Sequence, residues 1–227
     1  MAVNTSKRHI MIIDPAARVA ELDCFNRIAE DDRFTFSYHL PALMGFDSLE
    51  RIRQPVSGVI IFGSGSSVYD QDAWQEKLSN FLKEAIDHKA PILGICYGHQ
   101  LIAHMFGAKV DFLFQDHKKL TGFYETSIHN TKLGHNLNKA SLVTSHREAV
   151  IELPKGFKCT AHRENVDFDA LEHESLPIFT FQQHPEATNS FLNNQSIDCP
   201  TLGPNSFDDG HKIVASFLDF CSDYCAE

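Results

Sequence analysis

A chain of 227 residues, 43% of them hydrophobic, is long enough to bury one large core, and a single domain spanning 1–227 is expected. Thirty acidic against twenty basic residues give a formal net charge of −10, which leaves no basic stripe to neutralise phosphates and argues against nucleic acid as a direct partner. The first apolar run, Ile10 to Ile13, is too short for a signal-peptide core or a membrane span, and the six cysteines (24, 96, 159, 199, 221 and 225) have neither zinc-site spacing nor the density of a disulfide framework. Reduced thiols, a cytoplasmic location, and no metal or organic cofactor are the expectations.

In chain order, Lys7 to Ile13 reads as a short buried strand, and Val19, Leu22, Cys24, Phe25 and Ile28 follow Pro15 at helical spacings. Phe34 to Leu40 alternates as a strand does. Val56 to Phe62 is a denser apolar run, as in a strand buried on both faces. Asp72 to His88 carries Trp74, Leu78, Phe81, Leu82, Ala85 and Ile86 at helical period, and Pro91 to Ile95 is the next buried strand. This order predicts an α/β fold: a mostly parallel sheet flanked by helices, with ligands beyond the carboxyl ends of the strands. Past Gly107 the pattern becomes short strand-like runs at 109–114, 121–128, 141–144, 157–163 and 177–182, which adds a small antiparallel sheet portion. The segment 189–209, rich in Asn, Ser, Pro and Gly, reads as a surface insertion or a flap over a site. Ile213, Val214, Phe217, Leu218 and Cys221 mark a closing helix over about 209–224, on which Cys221 and Cys225 sit one turn apart as packing residues.

The chemistry concentrates in Pro91 to Val110. A buried strand runs directly into Cys96, and a helical pattern of Leu101, Ile102 and Met105 starts immediately after it and stops at Gly107. A nucleophile at such a junction sits on a sharp elbow. Gly94 and Gly98, two residues to either side, supply the small side chains that the elbow needs, and the helix N-terminus points its free N–H groups toward the sulfur and favours thiolate. The second constellation is Gln182-Gln183-His184-Pro185-Glu186, 88 residues on from Cys96 at His184. Cysteine catalysis needs a base for the thiol proton and a third group to orient that base, and His184 and Glu186 fit these roles. Pro185 keeps His184 out of helical geometry. His99, His104 and His146 are competing histidines.

Gly94-Ile95-Cys96-Tyr97-Gly98-His99-Gln100 resembles the nucleophile motif G-x-C-x-G-x-Q of the class I glutamine amidotransferases, and the segment 182–186 resembles that family's Q-x-H-P-E. Ser57 to Phe62 and the loop Ser66 to Asp70 are similar to the corresponding stretch in the glutaminase domain of GMP synthetase. The resemblance implies an oxyanion hole from the backbone N–H groups of Tyr97 and of the Gly63-Ser64-Gly65 loop, where the family usually has Gly-Gly-Pro or Asn-Gly-Pro. It also implies substrate contacts at Gly63 and Gln100, and at Thr144-Ser145-His146, whose backbone meets the α-amino and carboxylate groups of glutamine. Gln183 stands where an aromatic residue is common.

The implied activity is hydrolysis of the glutamine side-chain amide to glutamate and ammonia through a cysteine thioester. No synthetase-sized segment follows His184, so a separate synthetase subunit is the expected ammonia acceptor. Two alternatives are a stand-alone γ-glutamyl hydrolase or peptidase using the same residues, and a catalytically weak regulatory subunit.

Overall fold

The computed structural model describes residues 8–52, 56–134, 137–199 and 202–224; Lys7 and Cys225 lie outside them. Short apolar runs with little room for polar residues form its centre. The strands β1 (Arg8–Ile13), β2 (Phe34–His39), β3 (Gly58–Ile61), β4 (Ile92–Ile95) and β11 (Ile178–Phe181) pair in parallel in the order β2-β1-β3-β4-β11. Their side chains alternate between two cores. Ile10 and Ile12 pack on one face with residues of helices α1 (Leu22–Ile28), α6 (Asn189–Asn194) and α7 (Asp208–Asp223). Met11 and Ile13 pack on the other with residues of α3 (Asp47–Glu50), α4 (Ala73–Asp87) and α5 (Tyr97–Met105). Burial on both faces explains why these strands read as continuous apolar runs rather than alternating ones. A further short helix, α2 (Pro41–Met44), follows β2.

The antiparallel portion is larger than the sequence suggests, and most of it belongs to the same sheet. Beyond β11 come β10 (Val166–His173), β9 (Phe157–Arg163), β6 (Leu120–Ile128) and β7 (Lys139–His146), each antiparallel to its neighbour, for nine strands among the described residues. A separate pair joins β5 (Val110–Phe112) to β8 (Glu148–Val150).

β10 escapes the sequence reading because two of its buried positions are carboxylates. Asp169 and Glu172 are each 1% exposed and interrupt the apolar pattern. Asp169 pairs with the buried Arg163 at 3.1 Å. Glu172 accepts from the Lys132 backbone N–H at 2.9 Å and the Thr131 hydroxyl at 3.1 Å, with the Lys158 ammonium 3.2 Å away. These partners offset the desolvation that would otherwise exclude charge from a strand interior.

The first part of segment 189–209 is not a surface insertion. Thr188 caps α6 by accepting from the Phe191 N–H at 3.4 Å, and Phe191 and Leu192 are 2% and 3% exposed within the main core. Only two apolar residues in a six-residue helix face inward, so the polar remainder dominated its composition. Glu172→Ala is expected to lower stability by about 1–3 kcal/mol, because it removes a buried charged acceptor from half-buried donors; urea unfolding of the two proteins measures the difference.

Candidate active site

The ladder between β4 and β11 ends with the Cys96 N–H donating to the Phe181 carbonyl at 2.8 Å, so the chain leaves both strands at the same level. On the β4 side it turns at once into α5. Cys96 takes φ 51° and ψ −97°, a backbone conformation that an L-residue adopts only when its surroundings impose it. What imposes it is close packing. A Cβ on Gly94 would stand 2.7 Å from the Gly98 carbonyl oxygen, and one on Gly98 would stand 2.7 Å from the carbonyl of Ile61. Both elbow glycines are therefore required by approach of backbone to backbone. The Cys96 side chain sits at the N-cap of α5, where the helix presents its unpaired N–H groups.

On the β11 side, residues 182–186 carry the second constellation. The His184 N–H donates to the Val143 carbonyl at 2.7 Å, which pins the segment to β7, and its imidazole leans on the ring of Phe191 in α6 with centroids 4.4 Å apart. His184 Nδ1 meets Glu186 Oε1 at 2.9 Å, with both residues buried. That leaves Nε2 for the substrate side. Nε2 makes no hydrogen bond of normal geometry, yet the Cys96 sulfur is near enough to raise its proton affinity. A long contact that tightens only around a substrate is common in a free catalytic site. Burial works against the charged imidazole, but the Glu186 carboxylate and the Cys96 sulfur outweigh it and hold His184 up to about 10.

Gly63 explains how the two groups come together. A Cβ at that position would lie 2.8 Å from His184 Cε1 and 3.4 Å from Cys96 Cβ, so the loop after β3 passes directly against both. Ser64 lies outside the left-handed region and carries none of the strain that serine in place of glycine would bring there. Its hydroxyl accepts from the Ser66 N–H at 3.2 Å.

The competing histidines have other partners. His99 is fully buried in α5, with Nδ1 2.8 Å from the Thr180 hydroxyl, and burial pushes it down to about 3. His146 bonds through Nδ1 to the Glu148 carbonyl at 2.9 Å and through Nε2 to an Arg163 N–H at 2.7 Å, and burial, reinforced by the Arg163 charge, pushes it down to about 3. Both are neutral, and with both ring nitrogens of His146 turned inward only its backbone is left for a ligand. His104 is exposed and stacks edge-on with Tyr69. Ser145 is buried, and its hydroxyl has no hydrogen-bond partner among the described residues. Gln100 spends both amide hydrogens, one on the Glu148 carbonyl at 2.8 Å and one on Gln182 Oε1 at 3.2 Å. Any contact it makes with a substrate falls to its amide oxygen.

Region 41–198 matches the family model for the class I glutamine amidotransferases. The chain belongs to that family. It is 33% identical over 192 residues to a GMP synthase (glutamine-hydrolyzing) from Gloeothece citriformis, covering 82% of this chain and 32% of that one. With a GMP synthase (glutamine-hydrolyzing) subunit from Methanopyrus kandleri it shares 34% identity over 139 residues, 60% of this chain and 70% of the other. The amidotransferase chain thus spans about a third of the length of the first relative. A glutamine amidotransferase from Thermotoga maritima has the same fold at a TM-score of 0.75 and 16% identity, covering 96% and 100% of the two chains. Another from Methylobacillus flagellatus gives 0.71 at 16%, covering 94% and 95%. These matches favour the amidotransferase over both the γ-glutamyl hydrolase and the weak regulatory protein. No helix among the described residues of this amidotransferase is long and apolar enough to cross a membrane.

Several groups around the site had no signal of their own in the sequence. Arg163 and Asp169 hold His146 from behind, and Phe191 packs on the base. Asp14 and Glu21 lie close enough to Glu186 to feel its charge; burial first, and that charge in addition, pushes both carboxyls up. Asp14 accepts from the Tyr38 hydroxyl and from the backbone of Ala16 and Glu21, and Glu21 accepts from the Asn194 and Gln195 amides at 3.0 Å each. A buried Arg after a polar run, and acids beside a strand end, are common on surfaces and point nowhere without the fold.

The folded value for His184 lies above the 6.5 of an unfolded histidine, so the stabilisation gained by its protonated form is complete below pH 6.5 and is lost as the pH rises toward about 10. Glu186→Gln keeps a hydrogen-bond acceptor but removes the charge. It is expected to move the His184 titration, followed by imidazole NMR, down by about 1–3 pH units; a titration that stays in place would remove Glu186 as its cause.

Proposed function

We propose that this chain hydrolyses the side-chain amide of glutamine, with Cys96 as nucleophile, His184 as general acid and base, and Glu186 as the group that orients and charges the imidazole. The observation that carries the reading is the convergence of Cys96, His184 and Gly63 at one point beyond β3, β4 and β11, with Glu186 bonded to the far side of the imidazole. Because His184 keeps its proton well above neutral pH, the acid that serves the leaving nitrogen is already charged beside the Cys96 sulfur.

The thiolate attacks the carboxamide carbon and the carbonyl oxygen becomes an oxyanion. The N–H of Tyr97, at the start of α5, and that of Ser64 in the loop beside it are the donors assigned to this charge. His184 Nε2 passes its proton to the departing nitrogen, so ammonia leaves and a γ-glutamyl thioester remains. Water then attacks the thioester while His184 takes one of its protons. Collapse of the second tetrahedral intermediate releases glutamate and restores the thiolate. Gly63, the unpaired Ser145 hydroxyl, the backbone at His146 and the amide oxygen of Gln100 are the groups assigned to the amino acid itself.

The released ammonia is used by a separate synthetase subunit. Support comes from relatives whose names describe one subunit of a GMP synthase, including one from Thermococcus kodakarensis that is 36% identical over 144 residues. A cytoplasmic location fits a reaction between freely diffusing glutamine and such a partner.

Cys96→Ala is expected to abolish release of ammonia and glutamate from glutamine, to less than about a thousandth of the original rate, while leaving thermal unfolding close to that of the original protein. Turnover by the variant equal to the original would sink the nucleophile assignment. Gly63→Ala, by displacing His184 or Cys96, should cost about a hundredfold in kcat with intact folding. Glutamine-dependent GMP formation on mixing with an ammonia-dependent GMP synthetase subunit, and its loss with Cys96→Ala, tests the partner.

A further inference from the structure

Gln182 emerges from β11 one residue past the last ladder bond, directly beside Cys96, and is fully buried. Its Nε2 lies 3.7 Å from the Cys96 sulfur. An amide can turn either its nitrogen or its oxygen toward a neighbour, so the direction of this one matters. A backbone carbonyl settles it. The Glu148 carbonyl can only accept, and it takes a hydrogen from Gln100 Nε2 at 2.8 Å, which fixes the nitrogen of Gln100 on that side. The same nitrogen donates its second hydrogen to Gln182 Oε1 at 3.2 Å. With the oxygen of Gln182 held by Gln100, its NH₂ faces the sulfur. The Glu148 carbonyl is itself held by His146 Nδ1, and His146 Nε2 accepts from Arg163, so the relay is anchored in the buried Arg163–Asp169 pair. The Gln182 N–H closes the ring on the Asp169 carbonyl at 2.8 Å.

We infer that Gln182 is a further catalytic residue, donating an N–H···S hydrogen bond that holds the Cys96 thiolate, and that Gln100 orients it through the Glu148 carbonyl. The inference rests on Cys96 being the nucleophile. A donor locked toward sulfur favours the anion over the thiol, because a thiol can be met equally well by an acceptor and a thiolate cannot. It also holds the sulfur during the step in which the thiolate is the leaving group, when negative charge returns to it. The two glutamines of the paired motifs thus serve one another.

The test reads the thiol itself rather than turnover. Alkylation by iodoacetamide is followed at Cys96 by peptide mass spectrometry, which separates it from the other cysteines, over pH 6 to 10. Gln182→Met, which keeps volume and removes the donor, is expected to slow alkylation at pH 7 about fivefold and to recover the original rate at high pH. Gln182→Glu, which sets a carboxylate against the sulfur, should slow it further. Gln100→Glu leaves Gln182 in place but accepts from its amide and turns its oxygen to the sulfur, so it should slow alkylation in the same direction. An unchanged pH–rate profile in any of these variants that retains the original circular dichroism overturns the inference. Should Gln182 variants fail to fold, the Gln100→Glu profile decides alone. Full glutaminase activity in Cys96→Ala would instead remove the nucleophile reading, whatever the alkylation shows.

Discussion

The parallel register between β4 and β11, in which Phe181 stands opposite Ile95 and its carbonyl receives the Cys96 N–H, is the contact from which the rest of the site follows. It brings residues far apart in sequence to the same height at the same end of the sheet. Cys96 and Gln182 then lie side by side because each is the first residue past the ladder. Two residues on, His184 is held by β7, and two further on, Glu186 reaches back to the imidazole. The positive φ of Cys96 is a cost of order 1–3 kcal/mol for such a residue. It persists because the ladder bond behind it and the Gly94–Gly98 approach in front leave the chain no other route.

The net charge of the chain says little about this site; what matters is where a few charges are placed. Two buried groups, Glu186 and Cys96, flank one imidazole, and together they outweigh the desolvation that burial imposes on it. Asp14 and Glu21 are also pushed up, by burial and by Glu186, which for a carboxyl favours the neutral form. The charge of the cluster is thereby limited, and the acid bonded to the imidazole is Glu186. His99 and His146, with no carboxylate bonded to them among the described residues and burial acting alone or beside Arg163, lose their protons far below neutrality. One physical rule, burial weighed against the nearest charge, separates the charged histidine from the neutral ones.

That difference also marks what the sequence could and could not show. The elbow was legible because its demands are local: a buried strand, two glycines at fixed offsets and a helix start are all within ten residues of Cys96. The parallel half of the sheet was legible for a related reason, since burial on both faces writes continuous apolar runs. The antiparallel half was less so. β8 is three residues long, and β10 hides Asp169 and Glu172 among its inward positions, where charge is tolerated only because Arg163, Lys158 and backbone donors arrive from elsewhere in the sheet. Segment 189–209 reads as an insertion or a flap because composition averages over its residues, whereas within it the ring of Phe191 packs on His184. Gln100 resembled a substrate ligand from the motif alone, and only the position of the Glu148 carbonyl reveals where its amide hydrogens go.

The antiparallel half therefore does more than cover the end of the parallel sheet. The nucleophile and base come from β4 and β11, but neither strand end could hold its side chains alone, since both leave the ladder where regular hydrogen bonding stops. β7 supplies the carbonyl that fixes His184 and carries Ser145 and His146, β9 supplies Arg163, and β10 supplies Asp169. Gln183, where an aromatic ring would only pack, sends its amide into this frame, its two N–H hydrogens shared among the carbonyls of Tyr124 and Leu142 and the Thr144 hydroxyl. Two neutral amides, a neutral histidine and a buried ion pair are costly to bury one at a time. Linked into one network they satisfy most of one another's needs and leave little freedom to move. Reactive atoms at an irregular chain segment are thus positioned by regular strands behind them, which is how the end of an interior strand can hold a cysteine in a strained conformation and still present it to substrate in a single orientation.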